Sequence, residues 1–121
     1  MDKIINPQAE NGHVDIANEI IEKFCRYRLS GNEWQILFVV LRKTYGWHKK
    51  EDKISLSQFV LLTELLRPNV VRSIKSLVSK KILLVSKTIP AGINSYIFNK
   101  HFNEWSSSIK NDTPSIKIDN G

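Results

Sequence analysis

A single cysteine, Cys25, rules out an internal disulfide, and the three histidines, His13, His48 and His101, are scattered with no second cysteine beside any of them. Zinc ligation and a Cys/His catalytic pair therefore have no footing. The longest apolar run, Ile36 to Leu41, falls far short of the ~20 residues that a membrane span requires, and the amino-terminus carries Asp2 and no apolar signal core. No nucleophile and base pair, metal set or phosphate-cradling loop stands out, so the reading is not an enzyme and expects no cofactor. The most informative absence is of acid. Residues 65–103 hold seven Lys and Arg and no Asp or Glu, while the other eleven cations face twelve acids, so the rest of the chain nets minus one.

What is present fits one domain with a modest core: 121 residues, 41% apolar and 25% charged, read as a cytosolic protein. Nearly all of its positive field comes from one segment. A basic run alone reads as a solvated face. The pattern around it points further.

Ile16, Ile20 and Phe24, beside Ala17, Ile21 and Cys25, predict a helix over about 15–28 with a buried, inert thiol. Ser30-Gly31-Asn32-Glu33 has capping-box spacing and opens a second helix to about Lys43, buried on most sides through Trp34, Ile36, Leu37, Phe38, Val39, Val40 and Leu41. Residues 49–53 read as a charged connector. Ser55-Leu56-Ser57-Gln58 is a second capping box, opening a short helix whose Leu56, Phe59, Val60 and Leu62 can pack inward. After a break at 64–67, Pro68 suits the first turn of a further helix. A wheel at ~100° per residue puts Val70, Val71, Ile74, Leu77 and Val78 on its apolar side. Asn69, Arg72, Ser76 and Ser79 centre the polar side, flanked by Ser73, Lys75 and Lys80.

The segments 82–89 and 93–99, joined by Pro90-Ala91-Gly92, read as a β-hairpin with Tyr96 and Phe98 facing the core. The fold class is thus mainly α with a small β-hairpin, a winged helix-turn-helix whose helix would enter a major groove. The divisions are 1–13, an N-terminal arm; 14–105, the winged-helix domain; and 106–121, a flexible polar tail or linker. The arm has no arginine, and packing against the domain suits it better than lying on DNA.

Several motifs now carry a resemblance. Asn6-Pro7-Gln8-Ala9-Glu10-Asn11-Gly12, running into Ile16-Ala17-Asn18-Glu19, is similar to the opening of the bacteriophage replication protein O family. Glu33-Trp34, Arg42-Lys43-Thr44-Tyr45-Gly46-Trp47, Lys49-Lys50-Glu51-Asp52, Ile54-Ser55-Leu56-Ser57-Gln58 and Asn94-Ser95-Tyr96 with Asn99 and Trp105 resemble the same family in the same order, over about residues 4–105. The resemblance implies an N-terminal origin-binding domain of winged-helix type that recognises repeated sites in a phage replication origin. It also implies a separate C-terminal region that contacts the replication helicase or its loader, which is not visible in these 121 residues. The implied setting is the bacterial host cytoplasm, at the nucleoid. Self-association is left open.

In two respects the chain departs from the pattern. Where glycine and a serine cap are expected between the two helices it reads Thr63-Glu64-Leu65-Leu66-Arg67, so either the turn is reshaped or the first helix is extended. Leu61 and Leu66 stand where polar residues are expected, as a locally thicker core or as a protein contact.

The expected activity is sequence-specific binding of double-stranded DNA. Arg72 and Asn69 are the candidates for base edges, because arginine pairs bidentately with guanine and asparagine with adenine. Lys75, Lys80, Lys81, Lys87 and the hydroxyls of Ser55 and Ser57 are assigned to phosphates, with Arg67, Ser73, Ser76 and Asn94 on the same surface. The alternatives are a winged-helix transcriptional regulator and a protein-interaction module that has lost DNA binding.

Overall fold

The computed structural model describes residues 5–87 and 93–106. Four helices, α1 (Asn18–Arg26), α2 (Gly31–Thr44), α3 (Leu56–Thr63) and α4 (Arg67–Ser79), combine with three short strands, β1 (Glu51–Lys53), β2 (Leu83–Lys87) and β3 (Asn94–Phe98). Single 3-10 turns lie at Ala9–Asn11, Tyr45–Trp47 and Phe102–Glu104. The architecture is mainly helical with a small antiparallel sheet. The expected turn Pro90-Ala91-Gly92 falls among residues 88–92, which with 1–4 and 107–121 lie outside the described residues, as does the Lys87 side chain.

Both capping boxes form. The Ser30 hydroxyl accepts from the Glu33 amide at 3.1 Å while the Glu33 carboxylate accepts from the Ser30 amide at 2.8 Å. Ser55 and Gln58 repeat this at 3.1 and 3.0 Å, each pair satisfying two amides that a helix start leaves orphaned. The helix pair α3–α4 keeps a tight turn because Glu64 itself takes the left-handed conformation at φ 63°. The Thr63 hydroxyl then donates to the Phe59 carbonyl and accepts from the Leu65 amide, holding the turn from inside.

α2 runs through the centre, with Ile36, Leu37, Val40 and Leu41 buried against Val70, Ile74 and Leu77 of α4 and Phe59 of α3. Each such side chain contributes about 1.5–3 kcal/mol on leaving water. The sheet closes the other side in the order β1-β3-β2. Tyr96 stands opposite both Asp52 and Val85 and meets Phe59 edge-on, with ring centroids 5.4 Å apart. The chain leaves α4 through a left-handed Lys81: the Ile82 amide reaches back to the Leu77 carbonyl and the Lys81 amide to Val78. This closes the helix end as a Schellman motif and buries Ile82. At the carboxyl end, the Asn99 amide group bridges the Lys81 carbonyl and the Glu104 carboxylate, and the Trp105 indole donates to the Asn99 carbonyl at 2.7 Å. Trp105 thereby reaches Phe24, Tyr27 and Phe98.

Several expectations are corrected. α1 begins at Asn18, not near residue 15. Cys25 is exposed, because it lies ~140° round the helix from buried Ile20. Phe38 is 53% exposed, stacked on Trp34 over the outside of α2, and Leu62 also faces solvent. Leu61 and Leu66, at 75% and 72% exposed, do not thicken the core. The charged connector contains β1. Among the described residues no helix is long and apolar enough to cross a membrane.

Candidate nucleic-acid interface

Burial of Val70, Ile74 and Leu77 fixes how α4 is rotated, and so decides which of its polar side chains reach the surface. Arg67, Arg72, Lys75 and Ser79 are exposed. Arg72 is held in place by a neighbour one turn back: its guanidinium donates to the Asn69 carboxamide oxygen at 2.9 Å. That bond takes one of the two lone pairs on the Asn69 oxygen and leaves the other, with the amide NH2, for a base edge.

Three residues expected on this surface are turned inward. Ser73 is buried, at 6% exposed, and packs rather than projects. Ser76 donates its hydroxyl hydrogen to the Glu33 carboxylate, and the Lys80 ammonium sits 2.9 Å from the same oxygen. The cause is Glu33 itself, whose burial against α4 demands partners. Burial opposes its charge, but the hydrogen bonds from Ser76 and the Ser30 amide, with the Lys80 ammonium, outweigh it and hold the carboxyl below the usual glutamate range. The one hydroxyl proton of Ser76 and one of the three Lys80 donors are therefore committed to Glu33 while this cluster is intact.

The opposite flank of α4 faces the sheet across a groove of about 520 Å³, lined by Ser55 and Leu56 at the start of α3, Val71, Lys75 and Val78 on α4, and Val85 and Asn94 on the strands. The Ser55 hydroxyl caps α3 with one lone pair, and the other lone pair and the proton are not used by the cap. Ser57 is exposed on the first turn of α3. Lys81 is exposed beyond the far end of α4, and Lys87 lies on β2 directly across from Asn94. The structure thus places Ser55, Lys75 and Asn94 around this groove and Arg67, Arg72 and Lys75 around a second hollow that shares Val71 and Lys75 with it, and sets Ser73, Ser76 and Lys80 apart from both.

Sequence reasoning missed two participants. Glu33 was legible only as a cap, since its partners lie 43 and 47 positions along the chain. Val71 was assigned to the core, yet it is only partly buried and lines a hollow with Arg67, Pro68, Arg72 and Lys75. Its spacing, three after Pro68 and four before Lys75, was the available signal.

Chemically, such a surface offers guanidinium and ammonium donors to phosphates and base edges, with no acid among its lining residues to repel them. Among the described residues no group of three or more His, Cys, Asp or Glu could hold a metal ion.

No solved structure matches the chain. It is 42% identical over 77 residues to Replication protein 15 of Enterobacteria phage phi80, covering 64% of this chain and 26% of that protein. Similarity to Replication protein O of Escherichia phage lambda is 34% over 56 residues, covering 46% and 17%. With DNA replication protein gp18 of Salmonella phage P22 it is 28% over 115 residues, covering 92% and 40%. The aligned parts thus span well under half of each of these relatives. Residues 6–105 match the family model for bacteriophage replication protein O, which takes in every described helix and strand. The chain belongs to the bacteriophage replication protein O family.

Proposed function

We propose that this chain is a sequence-specific double-stranded DNA-binding domain that marks an origin for phage-type replication. In this reading α3, its turn and α4 form a helix-turn-helix, β2 and β3 form the wing, and α4 enters the major groove. The observation that carries it is the exposed cationic face of α4, Arg67, Arg72 and Lys75, beside a concave groove and within a segment that contains no acid. Arg72, oriented by Asn69, reads a base edge, and Lys75, Lys81, Lys87, Ser55 and Ser57 set the register on phosphates. A C-terminal region of a full-length initiator, outside this chain, would contact the helicase or its loader.

Selection of bound sequences from a random duplex pool tests the proposal. A single enriched motif is the expected result, and enrichment of none overturns it. A second reading, a protein-interaction module, is favoured by one observation: Leu61, Leu62 and Leu66 expose apolar surface around the turn. Repeats and a helicase-loader gene beside the coding region would separate replication from transcriptional control.

A further inference from the structure

Val71 stands out on α4 because its surroundings are wrong for a core residue. It sits in an open hollow whose other lining residues are Arg67, Pro68, Arg72 and Lys75, and it also borders the groove toward the sheet, where Val78 and Val85 continue the apolar stripe. Three cations flank it and no acid lines either surface.

The cations select an anionic partner, but the floor between them is aliphatic and offers no hydrogen bond. A ligand that fills the hollow must therefore bring a small apolar group on a polyanionic frame. Double-stranded DNA has one such group in its major groove, the C5-methyl of thymine, recognised by apolar contact. We infer that Val71 is a specificity-determining residue that seats a thymine methyl between the Arg67, Arg72 and Lys75 contacts. The inference rests on the proposed docking of α4 in the major groove, and it adds that the preferred site holds a thymine beside the base pair read by Arg72.

The test uses the full 121-residue chain and the duplex enriched by selection, with each thymine replaced singly by deoxyuridine, which removes the methyl and leaves every hydrogen bond. One position should bind about four-fold more weakly, the equivalent of one buried methylene-sized group. At that position Val71→Ala should bind the thymine and uracil duplexes equally. The uracil arm needs no altered protein, so it stands even if the variant folds poorly. The inference is overturned if the enriched motif lacks thymine, if every uracil substitution is neutral, or if Val71→Ala keeps the full thymine preference. Each of these outcomes leaves sequence-specific binding intact. Failure to enrich any motif, by contrast, removes the docking reading as well.

Discussion

Lys80 and Glu33 meet at 2.9 Å, tying the residue that follows α4 to the first turn of α2 across 47 positions of sequence. The contact takes one cation away from the exposed face and spends it on the angle at which α4 leaves the core.

Replacing that carboxylate should cost stability in a pH-dependent way. Glu33→Gln removes charge-assisted bonds to Ser76 and Lys80 and should destabilise the fold by about 2 kcal/mol at neutral pH. Because the folded-state pKa of Glu33 is lowered, its contribution is complete above the ordinary glutamate value of about 4.3 and is lost as pH falls through the lower folded value. Thermal melts from pH 7 to pH 3 should show a constant gap between wild type and variant, narrowing on the acid side. A gap independent of pH would mean that the carboxylate charge is not what holds α4.

The left-handed Glu64 offers a second test. A residue with a Cβ at φ 63° carries a steric cost that glycine avoids, so Glu64→Gly should stabilise the domain by about 1 kcal/mol. Chemical denaturation measures this directly. A loss of stability would show that the Glu64 side chain contributes more than its backbone strain costs.

Leu66 precedes α4 in an extended conformation, φ −70° and ψ 146°, and caps nothing with its side chain. Leu66→Ser should therefore gain about 1 kcal/mol through a new hydroxyl cap. If duplex binding is unchanged while stability rises, the exposed leucine is not needed for DNA. A variant that is stable but no longer engages the replication machinery would favour the interaction reading.

Reading and anchoring should separate by mutation. Arg72→Ala should cost about 1–3 kcal/mol on the preferred duplex and flatten discrimination among single-base variants, whereas Lys87→Ala should weaken all duplexes alike. Fluorescence titrations over a panel of sites provide the comparison. Discrimination surviving Arg72→Ala in a folded protein would move the reading face elsewhere.

Duplex affinity should also fall steeply with salt. With four or five phosphates neutralised, the slope of log affinity against log salt should lie between about −3.5 and −4.5. A flat profile would leave the cationic face of α4 without a role in binding.

Much of this was legible where local chemistry decides. Both capping boxes, Pro68 in the first turn of α4, and the alternation of Tyr96 and Phe98 follow from contacts within a few residues or from strict periodicity. β1 was not legible, because Glu51-Asp52-Lys53 has no apolar alternation and owes its extended form to pairing with β3 more than forty positions on. The inward turn of Ser76 and Lys80 was hidden for the same reason, since only the fold brings Glu33 to them. Phe38 and Leu62 were misplaced because periodicity identifies an apolar face without saying how many neighbours arrive to cover it.

The place of β3 between two partners has a mechanical consequence. Two strands joined only to each other form a lever free to swing about its root, whereas β1 bolts the root to the segment that follows α2. The Ile54 amide, bonded to the Asn94 carbonyl at 3.1 Å, adds a rivet at the first residue of β3. The spacing between α4 and the described strands is thus fixed by hydrogen bonds on both sides of β3, like the jaws of a caliper held at one setting.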